Sequence, residues 1–202
     1  MFGRGRDSGS GGSFDWLVLG LGNPGRRYEH TRHNVGEDAV RLLAGRLGDT
    51  MRTGKNDAAV AESRIGETRV VLAVPLTFMN ESGRAAASLV KRFRFTDPER
   101  IIVVHDELDL EPGVVRVKAG GGLAGHNGLR SITSSLSTQD YLRIRIGVGK
   151  PPSAGRGADH VLSRIPAKQR EVLDVSIEIA ADAVESIVRR GVAETMQDIN
   201  SR

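Results

Sequence analysis

The chain has 202 residues, a length suited to one domain, with 29 Lys and Arg against 25 Asp and Glu for a net charge of +4. It contains no cysteine, which excludes a disulfide framework, a thiol nucleophile and a Cys-ligated zinc or iron–sulfur centre. No apolar run approaches the roughly 18 residues of a membrane span and no signal-peptide core opens the chain, so a cytoplasmic protein with no membrane association is expected.

In chain order, residues 1–13 (MFGRGRDSGSGGS) are Gly, Ser and Arg with almost nothing apolar. They cannot bury enough surface to offset ordering entropy and predict a disordered leader ahead of a folded domain over 14–202. Trp16 to Leu21 is a continuous apolar run, short enough for a buried central strand, and it ends in the turn cluster Gly22-Asn23-Pro24-Gly25. Val35 to Leu47 has apolar residues at helical spacing. Ala58 to Ile65 and Arg69 to Val74 read as strands of a hairpin, and Asn80-Glu81-Ser82 opens a helix to about Phe93 with Asn80 as its N-cap. Ile101 to Val104 and Val114 to Val117 are two further strands, the second leading into Gly120-Gly121-Gly122.

Asn127 to Leu136 suits a helix, Leu142 to Val148 a strand with alternating Arg143 and Arg145, and Lys150 to Gly157 a Pro/Gly/Ser loop. Ala167 to Arg190 is a long amphipathic helix, followed by a short one. The alternation predicts an α/β fold: a single-domain three-layer αβα sandwich around a mixed, mostly parallel twisted sheet. Ligands of such sheets sit in the loops after the strands.

Charge placement adds a second clue. Between Pro112 and Lys150 the cations Arg116, Lys118, Arg130, Arg143, Arg145 and Lys150 face the single acid Asp140, a local +5 that exceeds the charge of the whole chain. A localised basic face suits a polyanionic partner. Upstream, Asp106 to Glu111 is an acidic knot at a strand end, read here as water-facing; with no second carboxylate cluster, no metal is expected.

The post-strand loops hold the unusual polar residues: Asn23, Tyr28 and His33 after the first strand, Phe78, Met79 and Asn80 after the hairpin, His105 and Asp106 after Val104, and His126 and Asn127 in the glycine loop. A His–Asp pair with no Ser or Cys nucleophile points to water activated by a general base. His33 would take the proton and Asp106 would stabilise the imidazolium. Neutral asparagine amides suit an oxyanion and substrate carbonyls. His30 could serve as the base instead, Asn23 and Asn34 also suit turn and cap geometry, and His105, next to Asp106 on a strand, is expected to be structural. Gly20-Leu21-Gly22-Asn23-Pro24-Gly25 matches G-x-G-x-x-G in form. Its context speaks against dinucleotide binding, because a proline turn follows where a helix should open.

Taken together, Gly20-Leu-Gly-Asn-Pro-Gly25 with Thr31-Arg-His-Asn34, Pro75-Leu-Thr-Phe-Met-Asn80-Glu-Ser-Gly83, His105-Asp-Glu-Leu-Asp-Leu110, Gly120-Gly-Gly-Leu-Ala-Gly-His-Asn-Gly-Leu129 and Leu142-Arg-Ile-Arg-Ile-Gly-Val-Gly149 resemble the signatures of the bacterial peptidyl-tRNA hydrolase family. The resemblance implies a monomeric α/β hydrolase that cuts the ester between a peptide and the terminal ribose of tRNA. It implies His33 as catalytic base, Asp106 as its partner, and Asn23, Asn80 and Asn127 as the groups that position the terminal adenosine, the peptide main chain and the water or oxyanion. Tyr28, Met79 and His126 would line the cleft with Phe78 beside them, and Lys118 and Arg145 would hold the tRNA acceptor end by phosphate. No cofactor is implied. The chain departs from the family pattern at Leu123-Ala124, where a polar residue or glycine is common. A non-catalytic RNA-binding relative of the same fold would have lost the catalytic residues; here His33, Asp106, Asn23, Asn80 and Asn127 are all present.

Overall fold

The computed structural model describes residues 13–151, 153 and 155–202; apart from Ser13, the expected leader lies outside them. The order of elements is β1 (Trp16–Gly20), α1 (Val35–Arg46), β2 (Arg52–Thr53), β3 (Ala58–Ile65), β4 (Thr68–Pro75), α2 (Ser82–Phe93), β5 (Ile101–Glu107), β6 (Val115–Ala119), α3 (Asn127–Leu136), β7 (Leu142–Gly147), α4 (Gly157–Leu162), α5 (Ala167–Arg190) and α6 (Val192–Asn200). Seven strands form one sheet in the order β2-β3-β4-β1-β5-β7-β6. The central four, β4, β1, β5 and β7, are mutually parallel, while β2, β3 and β6 pair antiparallel with their neighbours at the edges.

Every residue of β1 and β5 is buried, as continuous apolar runs covered on both faces should be. On one face Val18, Leu72, Ile102, Val104 and Ile144 pack with Val40 and Leu43 of α1 and Ile177 and Val184 of α5. On the other, Leu17, Leu19, Val71 and Val103 pack with Leu89 of α2 and Leu129 and Ile132 of α3. Burying these aliphatic side chains, at about 1.5–3 kcal/mol for each large one, supplies the main drive to fold. One glycine sets the position of the site. A Cβ on Gly36 would lie 2.2 Å from the Val104 carbonyl oxygen, so only glycine lets the start of α1 sit directly against β5.

The structure corrects the sequence reading in four places. Strand β5 runs through Glu107, so His105 and Asp106 belong to the strand and not to a loop after it. The helix after β4 begins at Ser82 with Glu81 at its N-cap and no side-chain capping bond, so Asn80 does not cap it; Asn80 lies in a single 3-10 turn, Met79–Glu81. Two elements were not anticipated: β2 is only two exposed residues, and α4 is six residues opening on Gly157, both too short to show a period. Finally, β6 is antiparallel to β7, with Ala119 beside Leu142. The glycine loop therefore starts at the end of the sheet away from the catalytic rim, and residues 120–126 climb across the sheet to reach it.

Candidate active site

Three elements deliver the central cluster. A 3-10 turn, Arg32–Asn34, carries His33; the last residues of β5 carry Asp106; and the residue capping α3 is His126. His33 Nδ1 lies 2.9 Å from Asp106 Oδ1, and His126 Nε2 lies 2.8 Å from the same oxygen. The His126 tautomer follows from its other contacts. Its Nδ1 accepts from the backbone N–H groups of Gly128 (3.1 Å) and Leu129 (3.3 Å), so Nε2 carries the proton and donates it to the carboxylate. His33 likewise donates from Nδ1, which leaves its Nε2 as a proton acceptor beside the cleft.

The electrostatics agree with this arrangement. Burial raises the Asp106 carboxyl, but the charges and hydrogen bonds of the two histidines outweigh it and hold the group well below the usual carboxylate range. Burial pulls His33 down, and the Asp106 charge and hydrogen bond more than reverse this, leaving it above the ordinary histidine value. His105 is fully buried; burial, then the neighbouring His126, pushes it down to about 3, and its Nδ1 bonds the Asp106 carbonyl oxygen at 2.7 Å. It is a neutral packing residue, as expected. His30 is exposed and contributes its carbonyl to Ile165 N–H; its side chain does not border the cleft.

The cluster borders a cleft of about 440 Å³. Of the residues singled out in the sequence, Asn23, Tyr28, His33, Phe78, Met79, Asn80, Asp106, His126 and Asn127 all line it. Tyr28 and Phe78 meet edge to face with ring centroids 6.2 Å apart. Leu108 and, from α4, Val161 and Leu162 complete an apolar wall that the sequence did not announce. Asn23 Oδ1 accepts from Met79 N–H at 2.8 Å, which ties the loop after β1 to the loop after β4 and leaves the Asn23 amide as a donor. Asn34, which the sequence left between turn and function, is a clamp: its Oδ1 accepts from Asn23 N–H (3.0 Å) and its Nδ2 donates to Asn23 O (2.9 Å).

Lys118 and Arg145 do not line this cleft. They lie on the neighbouring sheet face, where Lys118 stands opposite Arg143 and Arg116 opposite Arg145. Arg145 Nε donates to Glu107 Oε2 at 3.0 Å. Glu107 is buried, 4% exposed, like Asp106 at 2%; the expectation that the acids at this strand end face water fails for both, because each has cationic or N–H donors waiting. Arg32, next to the proposed base, is also buried. It bonds Ser163 Oγ (2.7 Å), the His160 carbonyl (3.3 Å) and Gln169 Oε1, so it ties the His33 turn to the end of α4 and the start of α5.

His33, Asp106 and His126 each offer a ligand atom, all within 4.8 Å of one another. Two contacts of hydrogen-bond length already occupy both imidazole nitrogens and the shared oxygen, so a cation would have to displace the protons that set both tautomers. The geometry is a carboxylate-backed imidazole facing a cleft rimmed with neutral amides, an arrangement able to move a proton.

Comparison with known proteins agrees. The family model described as peptidyl-tRNA hydrolase matches residues 17–202. A protein of Frankia alni named peptidyl-tRNA hydrolase is 51% identical over 180 residues, covering 89% of this chain and 91% of its own. One of Cutibacterium acnes with the same name is 46% identical over 197 residues, covering 92% and 98%. The crystal structure of peptidyl-tRNA hydrolase from Acinetobacter baumannii superimposes with a TM-score of 0.88 at 38% identity, covering 95% of this chain and 98% of that one. The chain belongs to the peptidyl-tRNA hydrolase family.

Proposed function

We propose that this chain hydrolyses peptidyl-tRNA at the ester joining the peptide carboxyl to the ribose of the terminal adenosine, as a cytoplasmic monomer that returns tRNA to translation. The observation that carries the reading is the His33–Asp106 pair at the cleft, in a member of this family. Water held at His33 Nε2 attacks the ester carbonyl as the imidazole takes its proton. Asp106 stabilises the imidazolium, and general-base help of this kind contributes about 10²–10⁴ in rate. The amides of Asn23, Asn80 and Asn127 receive the oxyanion and orient the peptide and adenosine. A good oxyanion donor of this type contributes about 2.7–4 kcal/mol. The tetrahedral intermediate then collapses: the acyl carbon–ribose oxygen bond breaks, and the leaving oxygen takes the proton back from His33. An ester leaves more readily than an amide, so one base and neutral donors suffice.

Neutral amides in the cleft also account for discrimination. Their oxygens can accept from the N–H of an acylated nitrogen and their N–H groups can donate to its acyl carbonyl, whereas the free ammonium of an aminoacyl-tRNA would stand against their N–H donors. Lys118 and the terminal nitrogens of Arg145 would hold tRNA by phosphate without reading base sequence. The test is incubation with N-acetylated aminoacyl-tRNA beside its free-amine counterpart. Release of tRNA from the acetylated form alone is the expected result; equal release from both, or none from either, overturns the reading.

A further inference from the structure

Among the described residues Arg143 is the largest fully buried side chain, 2% exposed, and the chemistry above makes no use of it. Among the described residues no carboxylate pairs with it. Its acceptors are instead three consecutive backbone carbonyls of the glycine loop: Nη1 donates to Gly122 O at 2.7 Å, and Nη2 to Gly121 O at 2.8 Å and to Gly120 O. Burying a guanidinium against neutral carbonyls alone is costly, and its Nε has no partner at all. Such a group is retained where its geometry does something that an apolar residue could not. A planar fork spreads its donors over separate nitrogens in fixed directions and so can span three successive carbonyls, whereas the three donors of a lysine converge on one nitrogen.

The path of the loop gives that geometry a purpose. Because β6 is antiparallel to β7, the loop leaves the sheet at the end opposite the catalytic rim and must cross its face to deliver His126 to Asp106 and Asn127 to the cleft. Its backbone is irregular, with left-handed φ at Gly120 (59°), Gly121 (84°), Ala124 (49°) and Gly125 (73°). Gly121 passes so close that a Cβ there would lie 3.0 Å from Lys118 Cε and 3.7 Å from Arg143 Nη2. Leu123 rests on the α2–α3 core, and His126 is pinned at the far end. Arg143 is thus the fixed post at the near end of a crossing whose far end is the catalytic cluster.

We infer that Arg143 is a positioning residue for hydrolysis, setting the course of residues 120–125 so that His126 reaches Asp106 and Asn127 faces the substrate. The inference rests on the hydrolytic reading above, but its structural half can be tested without turnover. The experiment compares wild type with Arg143→Gln and Arg143→Lys. It measures kcat and KM on N-acetylated aminoacyl-tRNA, amide hydrogen exchange along the chain, and the imidazole nitrogen resonances of His126. In Arg143→Gln we expect kcat to fall by about 10²-fold, the scale of a misplacement near 1 Å, with KM changing much less. Exchange should quicken at residues 121–126 while the β-sheet amides keep their protection, and His126 should lose its fixed Nε2–H tautomer. Arg143→Lys, which keeps the charge but gathers its donors on one nitrogen, should recover part of kcat, and it decides the matter if the glutamine variant does not fold. Wild-type kcat with an unchanged His126 signature in either variant overturns the inference. So does exchange that quickens uniformly over the whole sheet, which would make Arg143 a stability residue only. Inactive wild type would instead sink the hydrolytic reading, while the exchange and His126 arms would still decide the placement of the loop.

Discussion

Asp106 and Glu107 are consecutive carboxylates, almost equally buried, yet their partners differ in kind. They point to opposite faces of β5, and that alone decides what each can hold. Asp106 places one oxygen between two imidazoles from different elements. Glu107 spends its oxygens on the Arg145 guanidinium and on the backbone N–H of Asp109 at 3.1 Å. Partners that can give up or accept a proton near neutral pH make a reactive centre, whereas a guanidinium and an amide, which cannot, make a brace. A buried carboxylate is therefore not a catalytic signal until its partners are known.

The largest effect that separates the two should come from Asp106→Asn. The asparagine keeps the size but cannot stabilise the imidazolium, and it offers one oxygen to two N–H donors without charge. We expect kcat to fall by about 10²–10⁴-fold with tRNA affinity nearly intact, read by single-turnover hydrolysis beside equilibrium binding. The pH profile should move as well. On the proposed mechanism activity requires neutral His33, so in wild type it should rise with pH through a value above the ordinary 6.5. Without the Asp106 charge only the lowering by burial remains, and the acid limb should shift to lower pH. The same linkage fixes the sign for stability. The His33 contribution is complete below its unfolded value and lost as pH rises through the raised one. That of Asp106 is present above 3.8 and lost as pH falls towards its lowered value.

Glu107→Gln should give the opposite pattern. The glutamine has one acceptor oxygen for two donors, so either Arg145 Nε–H or Asp109 N–H loses its partner, at a cost of about 1–3 kcal/mol. The expected outcome is a lowered Tm with kcat on a short N-acetylaminoacyl-CCA fragment within about threefold of wild type, since no step of proton transfer is touched. A collapse of kcat comparable to that of Asp106→Asn, in a folded protein, would erase the distinction between the two carboxylates.

How far this division was legible in the sequence differs from residue to residue. The apolar run of β1, the hairpin β3–β4 and the long helix α5 were read with nearly their observed bounds, because buried strands and amphipathic helices advertise themselves through period and composition; β5 was read only over its apolar first four residues, and its polar end, His105 to Glu107, was missed. The pairing of His33 with Asp106, 73 positions apart, was read from their placement after strands of one sheet, with His30 left open as the base, and the motif resemblance then implied the same pair; no local pattern brings the two together. The roles of His126 and Arg143 were hidden for a stricter reason. The acceptors of Arg143 lie 21–23 residues upstream, and alternating Arg143 and Arg145 in a strand reads as a solvated basic edge unless a loop is known to cross over it. Helix α4 and its contribution to the cleft wall were lost in a Gly/Pro-rich stretch, where six residues carry too little pattern to outvote the composition.

The smallest effect expected is that of Lys118→Ala, and it sharpens the comparison from the side of the basic face. Lys118 shares this face with Arg143 and Arg145, through its cross-strand pairing with Arg143 and the two-residue spacing of Arg143 and Arg145. It is half-buried and stands apart from the cluster around Asp106. If this face holds tRNA by phosphate and the rim does the chemistry, removing one cation should cost one counterion's worth of binding and nothing of the chemical step. The slope of log K against log salt should then become shallower by about 1, KM should rise most at low salt, and kcat at saturation should stay put. The N-acetylaminoacyl-CCA fragment, which ends before the acceptor-stem phosphates, should not sense the change. An unchanged salt slope would move the phosphate site away from β6. A fall in kcat on the short fragment would mean that the lysine, packed against Gly121, helps Arg143 to steer the glycine loop and that the two faces are not separable.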